Sequence, residues 1–246
     1  MINHHQKFSI FWDRYKSNLR NLYSLYIFSF IFILSLFAEL ISNDKPIIMS
    51  VDNTIYIPMI MSYPETEFGG VFETEANYKD KFMNDIMNKE DNWAVFPLNP
   101  HSYNSINLDN ATPNPAPPSL YNYLGTDDRG RDVLARLIYG FRLSVIFAFI
   151  LTLIGVIIGI FFGALQGYFA GRTDLYLQRF IEIWSSMPEL YILIIFASLF
   201  EPSILLLIIL LSLFGWMGLS DYVRAEFLKG RNMEYVVAAR TMGISN

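Results

Sequence analysis

Residues 143–165 read LSVIFAFILTLIGVIIGIFFGAL and contain no charged side chain. A helix needs about 20 mostly apolar residues to cross a membrane, because each residue rises about 1.5 Å through a hydrocarbon core about 30 Å thick. The stretch therefore predicts a membrane-spanning helix. Segments 22–41, 180–200 and 203–219 are also long and apolar, although 180–200 includes a proline and two glutamates. We therefore expect an all-α polytopic membrane protein with four transmembrane helices.

The composition of the whole chain agrees with this expectation and excludes several function classes. Of the 246 residues, 53% are hydrophobic and 17% are charged, whereas a soluble domain carries about 25% charged residues. The absence of cysteine excludes disulfides and thiol catalysis, and a net charge of −5 argues against nucleic-acid binding. The sequence has no HExxH zinc motif and no GxxxxGK[ST] phosphate loop. We therefore expect no catalytic residues, no metal and no cofactor in this chain.

Lysine and arginine residues predict the orientation of the four spans. They occur in the N-terminal tail, in the loop after the second span and in the tail after the fourth, and such clusters favour the cytoplasmic side. The residues are Lys7, Arg14, Lys16 and Arg20; Arg172 and Arg179; and Arg224, Lys229, Arg231 and Arg240. This predicts a cytoplasmic tail at 1–21, a first span at 22–41, an extracytoplasmic region at 42–142 and a core with three spans at 143–246.

Residues 43–124 differ in composition from the rest of the chain. They contain eleven acidic residues, four lysines and nine of the eleven prolines. Residues 47–51 and 54–60 are rich in β-formers and flank Asp52 and Asn53, which is typical of a hairpin turn. We expect a small extracytoplasmic insert with some β structure, in which Pro58 confines the second strand to a sheet edge. A solvated loop without function is the alternative.

Five glycines follow one another at intervals of four residues in and after the second span. Residues four apart share a helix face, and glycine on that face lets a neighbouring helix approach closely. The spacing therefore predicts a helix-packing face inside a bundle and does not by itself indicate a function. The glycines are Gly155, Gly159, Gly163, Gly167 and Gly171.

Two glutamates in the third predicted span are candidates for a functional role. Carboxylates in membrane spans often serve proton or ion pathways. However, Arg179 precedes Glu182 by three residues, which is a helical pairing distance, so we expect these two residues to form a structural ion pair. Glu189 lies deeper in the span and its role stays open.

Three blocks of sequence, taken in order, carry a resemblance to a known family. The first is LGTDDRGRDVLAR at 124–136, with YG and RLS shortly after it. The second is GYFAGRTD at 167–174, with Arg179, Glu182 and SMP shortly after it. The third is YVVAARTMG at 235–243. Together they resemble the permease subunits of dipeptide and oligopeptide ABC importers. SNDKP at 42–46, FGG at 68–70 and GWM at 215–217 are most similar to the microcin C/peptide (Yej-type) permeases of that family.

The resemblance implies a function and a set of partners. It implies a multi-pass protein of the bacterial inner membrane that imports peptides such as oligopeptides or microcin C-like compounds, with a second permease, two ATP-binding cassette subunits, a periplasmic substrate-binding protein and membrane lipid around it. The chain itself would not be an enzyme, because the partner subunits would hydrolyse ATP. The third block is similar to the EAA coupling motif that contacts the ATPase. Val237 stands at the position of its Glu, and Ala238, Ala239 and Gly243 match it.

The chain departs from the family pattern at its C-terminal end. Family members have six spans and continue past the coupling motif, whereas this chain ends three residues after Gly243. We therefore expect a C-terminally truncated permease. Two alternatives stay open: a proton-coupled secondary transporter that uses Glu182 or Glu189, and a non-functional fragment or membrane scaffold.

Overall fold

The structure is a computed structural model that describes residues 12–13, 15–107 and 112–243. The predicted tail charges Lys7 and Arg14 lie outside the described residues. The chain forms two compact units, which divide between Ser144 and Val145.

The first unit begins with helices and continues into a small sheet. Its elements are α1 (Leu19–Leu36), α2 (Ala38–Ile41), β1 (Ile48–Val51), β2 (Thr54–Tyr56), a 3-10 turn (Glu65–Phe68), α3 (Lys81–Met87) and β3 (Trp93–Val95). Helix α4 (Val133–Phe169) begins in this unit. The sheet has the antiparallel order β2-β1-β3, and Met49 lies opposite both Tyr56 and Ala94. The predicted small β-containing region is therefore confirmed.

The hairpin between β1 and β2 follows directly from its turn residues. Asp52 and Asn53 both adopt positive φ angles, of 50° and 63°, and short polar side chains tolerate this conformation best. Strand β2 lies at a sheet edge and ends two residues before Pro58, which has no N–H for a further ladder bond. Met49 of β1 packs with buried Tyr78 and Met83 to form the core of this unit.

Every secondary-structure element in the described part of the second unit is a helix. After α4 come α5 (Gly171–Ser185), α6 (Glu189–Leu199), α7 (Ile204–Ser212), α8 (Met217–Arg231) and α9 (Glu234–Thr241). In the described part of the chain, the segments Leu19–Leu36, Val133–Phe169 and Ile204–Arg231 are long and apolar enough to cross a membrane. The expectation of a mostly helical, multi-pass membrane protein is confirmed.

The boundaries of two predicted spans need correction. A single helix over 180–200 is wrong, because α5 and α6 meet at a 65° bend and count as one span only if the bent pair is taken together. Pro188 causes the break, since proline lacks an N–H and disfavours helical geometry in the residue before it. Helix α4 also begins ten residues before the apolar stretch that starts at 143, because apolar composition marks the span and not the whole helix.

Candidate functional site

The face of α4 that carries the glycines packs directly against α8. A Cβ atom added at Gly159 would lie 2.9 Å from the backbone oxygen of Trp216. At Gly163 it would lie 2.5 Å from the backbone oxygen of Ser220, and at Gly167 it would lie 2.4 Å from the Cβ of Phe227. Only glycine therefore permits this approach of the two backbones. Gly155 is at the looser end of the face, with its nearest neighbour at 3.8 Å.

Gly171 is the exception among the five glycines, and the prediction that it belongs to this face is wrong. Helix α4 ends at Phe169, and Ala170 and Gly171 both take positive φ angles, of 50° and 56°. The fourfold spacing no longer fixes a common face once the helix has ended. An added Cβ at Gly171 would meet no atom within 4 Å. Its role is to let the chain turn into α5.

Two polar contacts connect α8 with its neighbours beside the glycines. Gln166 donates a hydrogen bond to the hydroxyl of Ser220 at 3.2 Å, and both side chains are fully buried. Arg224 donates two hydrogen bonds to Asp174 in α5, at 2.5 and 2.7 Å. Paired donors of this kind fix the orientation of a guanidinium as well as its distance. The second unit therefore holds α4, α5 and α8 together by close packing and by specific polar contacts.

The predicted coupling residues lie on and after α9. Val237 and Ala238 are exposed, Ala239 is half-buried, and α9 is joined to α8 by Asn232 and Met233. Gly243 follows the helix with a φ of 81°, which is the left-handed conformation that favours glycine at a helix end. The segment thus presents small side chains outward on a short, defined helix.

The two acidic residues of the third predicted span lie on either side of the bend. Arg179 donates to Glu182 at 2.6 Å, and both side chains are largely exposed. An exposed pair of this type contributes about 1 kcal/mol at most. Glu189 lies in the first turn of α6, directly after Pro188, where a negative charge interacts favourably with the helix dipole.

The signature block at 124–136 forms a hydrogen-bonded loop that continues into the first turn of α4. The carboxylate of Asp127 accepts hydrogen bonds from the backbone N–H groups of Arg129 and Arg131, and from the side chain of Arg131. Arg136 also pairs with it. Burial of the carboxylate opposes ionisation, but these hydrogen bonds outweigh it and hold the pKa of Asp127 well below its usual range. This loop is therefore fixed by one ionised carboxylate.

Asp132 is the centre of a second, fully buried network that the sequence did not reveal. Its carboxylate accepts hydrogen bonds from Asn99 at 2.9 Å, from Asn122 at 2.8 Å and from the backbone N–H of Ala135 at 2.8 Å. The last of these bonds caps the N-terminus of α4. Asn99 also donates to Ser42 at 3.0 Å. Asp132 thus connects the start of α4 to the loops that contain Asn99 and Asn122, and through Asn99 to Ser42, which follows α2.

Glu39 and Arg142 form a two-pronged ion pair beside this network. Arg142 donates at 2.9 and 2.8 Å to the two carboxylate oxygens of Glu39. No local signal in the sequence indicates a partner for Glu39 that lies 103 residues away. Tyr139 lies against Arg142, with its ring centroid 5.1 Å away, and donates to the backbone oxygen of Ser42. These contacts attach α2 to the beginning of α4.

Comparison with known proteins connects this arrangement to a family. Residues 155–246 match the family described as the inner membrane component of binding-protein-dependent transport systems. The chain is 44% identical to the peptidoglycan transport system permease protein YejE of Agrobacterium fabrum, over 96% of this chain and 68% of that protein. It is 43% identical to the inner membrane ABC transporter permease protein YejE of Escherichia coli, over 96% and 69%. The dipeptide transport system permease protein DppC of Bacillus subtilis is 36% identical over 59% of this chain and 45% of its own length.

Proposed function

This chain belongs to the family of inner membrane permeases of binding-protein-dependent transport systems, and we propose that it carries peptides in an ATP-driven importer. The observation that carries the proposal is the identity of 44% over 96% of the chain to a transport permease. Its relatives are named for peptidoglycan and for dipeptides, and both names support a peptide as the substrate class.

The proposal includes partners that the chain needs for import. A second permease would complete the path through the membrane, and two ATP-binding subunits would supply the energy. A substrate-binding protein would deliver the peptide from outside. Such a machine works by alternating access, in which the ATPases shift the balance between states that open to opposite sides.

We place the contact with the ATPase at α9 and Gly243. Exposed Val237 and Ala238 give α9 a narrow outer surface, which suits a helix that docks into a cleft of another protein. Only two residues connect α8 and α9, so a displacement of α9 must move α8 as well. The short connection therefore supports a role for α9 in transmitting movement from the ATPase. Close packing of α8 on Gly163 and Gly167 then passes the movement to α4.

Co-purification tests this placement. The chain is expressed with its second permease and ATPase, extracted from membranes and isolated through a tag on the second permease. Gly243→Asp puts a charge and a side chain at a left-handed position, so we expect loss of the ATPase while this chain still co-purifies with the second permease. Gly171→Asp is the matched control, because it puts the same charge and side chain at another left-handed glycine with open space around it, outside α9, and it should retain the ATPase.

Retention of the ATPase by the Gly243→Asp variant would contradict the placement.

Uptake of a labelled peptide distinguishes the proposed function from a proton-coupled transporter. An ATP-driven importer loses uptake when the ATPase is deleted. A proton-coupled transporter retains peptide uptake when the ATPase is deleted and loses uptake in the Glu189→Gln variant. That result would overturn the proposed function.

A further inference from the structure

Two cavities of the first unit adjoin one another, and no family motif accounts for them. Their volumes are 790 and 550 Å³, which is in the range of small-molecule sites. Their walls share Tyr78, Lys79, His101 and Asn107. We call the two together the Lys79 cleft.

The two halves of the Lys79 cleft differ in chemistry. The larger cavity has an aromatic and proline-rich wall, which includes Phe96, Pro117 and Tyr121. The smaller cavity is lined by charged residues, among them Asp44 and Asp80. An apolar pocket next to a charged one, with a cation at their junction, fits a ligand that has apolar side chains and charged ends.

His101 orients the cation at the junction without neutralising it. The ring nitrogen Nε2 donates to the backbone oxygen of Tyr121 at 3.0 Å, which leaves Nδ1 as the acceptor for the ammonium of Lys79, also at 3.0 Å. His101 is only 8% exposed. Burial, reinforced by repulsion from Lys79, lowers the pKa of His101, so the ring is neutral at pH 7.

Lys79 therefore keeps binding capacity for an anion. Within 15–107 and 112–243 it forms no ion pair with a carboxylate, in contrast to Lys45, which pairs with Glu75 in the same cleft. An ammonium has three N–H donors, and the hydrogen bond to His101 uses one. Partial burial lowers the pKa of Lys79, and attraction to Asp44 and Asp132 opposes this change. A carboxylate that entered the cleft would meet an oriented, partly desolvated cation.

We propose that the Lys79 cleft binds a short peptide, with its C-terminal carboxylate on Lys79, an apolar side chain in the larger cavity and its N-terminal ammonium beside Asp44 and Asp80. This inference rests on the proposed peptide-import function and adds a holding site in the permease itself. The ligand class follows from the three groups that the cleft presents: a cation, an apolar wall and a pair of carboxylates.

The test measures peptide affinity of the full chain in lipid nanodiscs by isothermal titration calorimetry. The probes are the tripeptide Ala-Ala-Phe with free ends and the same peptide with a C-terminal amide. We expect the free acid to bind at least about tenfold more tightly, because only the acid can pair with Lys79. Lys79→Met should remove this preference. Lys89→Met, an exposed lysine of the same unit that lines neither cavity, should keep it.

Equal affinities for acid and amide in the unaltered chain would overturn the proposal, and this comparison needs no variant to fold. A preference that persists in Lys79→Met would overturn it as well. Failure of the site and failure of the proposed function are distinguishable. If only the site is wrong, ATPase-dependent peptide uptake continues without the acid preference; if the function is wrong, uptake no longer depends on the ATPase.

Discussion

Replacing Gly163 with alanine should force α4 and α8 apart. The new Cβ would lie 2.5 Å from the backbone oxygen of Ser220 and 2.7 Å from the Cβ of Val223. Relaxed contacts between such atoms are about 3.5–4.0 Å, so the two helices must separate by about 1 Å. Overpacking of this kind costs about 1–3 kcal/mol. The shift of Ser220 would also lengthen its hydrogen bond from Gln166, now at 3.2 Å.

Gly155→Ala is the matched control for this substitution. The nearest atom to a Cβ at Gly155 is the backbone oxygen of Gly215 at 3.8 Å, which is an ordinary contact. Both variants gain the same helix propensity of about 1 kcal/mol, because both sites lie inside α4. The difference between the variants therefore isolates the clash, and we expect Gly163→Ala to be less stable by about 1–3 kcal/mol.

Reversible unfolding of the purified chain in mixed micelles, with increasing SDS, measures this difference. The unaltered chain, Gly155→Ala and Gly163→Ala are unfolded under the same conditions and followed by tryptophan fluorescence, since Trp216 lies at the packed face. If the two variants differ by less than about 0.5 kcal/mol, the close approach of α4 and α8 at Gly163 is refuted.

Two further predictions concern the first unit. Asp132→Ala should destabilise this unit by about 3 kcal/mol or more, because it leaves donors from Asn99 and Asn122 buried without an acceptor and removes the cap of α4. Limited proteolysis should cleave this variant faster than the control Asp128→Ala, whose side chain is exposed. Equal cleavage rates would contradict the network. The lowered pKa of His101 predicts a loss of stability as the pH falls below about 6.5, because the unfolded chain then binds a proton that the folded chain does not. Thermal unfolding from pH 7.5 to 5 should show this decline, and His101→Gln should flatten it; an unchanged slope in the variant would show that other groups cause the decline.

Local sequence patterns predicted much of the fold. Apolar length located the membrane segments, and Asp52 with Asn53 located the hairpin, because both signals depend on residues that are neighbours in the chain. Pro188 indicated a weak third span, although the sequence could not show that the chain bends by 65° there. The size of a bend depends on what each half of the helix packs against.

The site was less predictable than the fold. Fourfold spacing identified a packing face, but only the structure shows that α8 covers it and that Gly171 falls outside it. The Arg179–Glu182 contact was predicted from the sequence and is present in the structure, because the residues are three apart on one helix. Lys79 and His101 gave no signal, since neither belongs to a motif and their contact depends on two loops that fold together.

The sequence by itself therefore determined what each segment is, and tertiary structure decided which segments meet. Hydrophobic length, turn chemistry and helix spacing act over a few residues, so composition and order suffice to predict a membrane helix or a hairpin. The pairing of Glu39 with Arg142 joins residues 103 positions apart, and the chain offers several other acids and bases with the same chemistry. The folded backbone brings this acid and this base within hydrogen-bond distance, and Coulomb attraction is strong only at that distance.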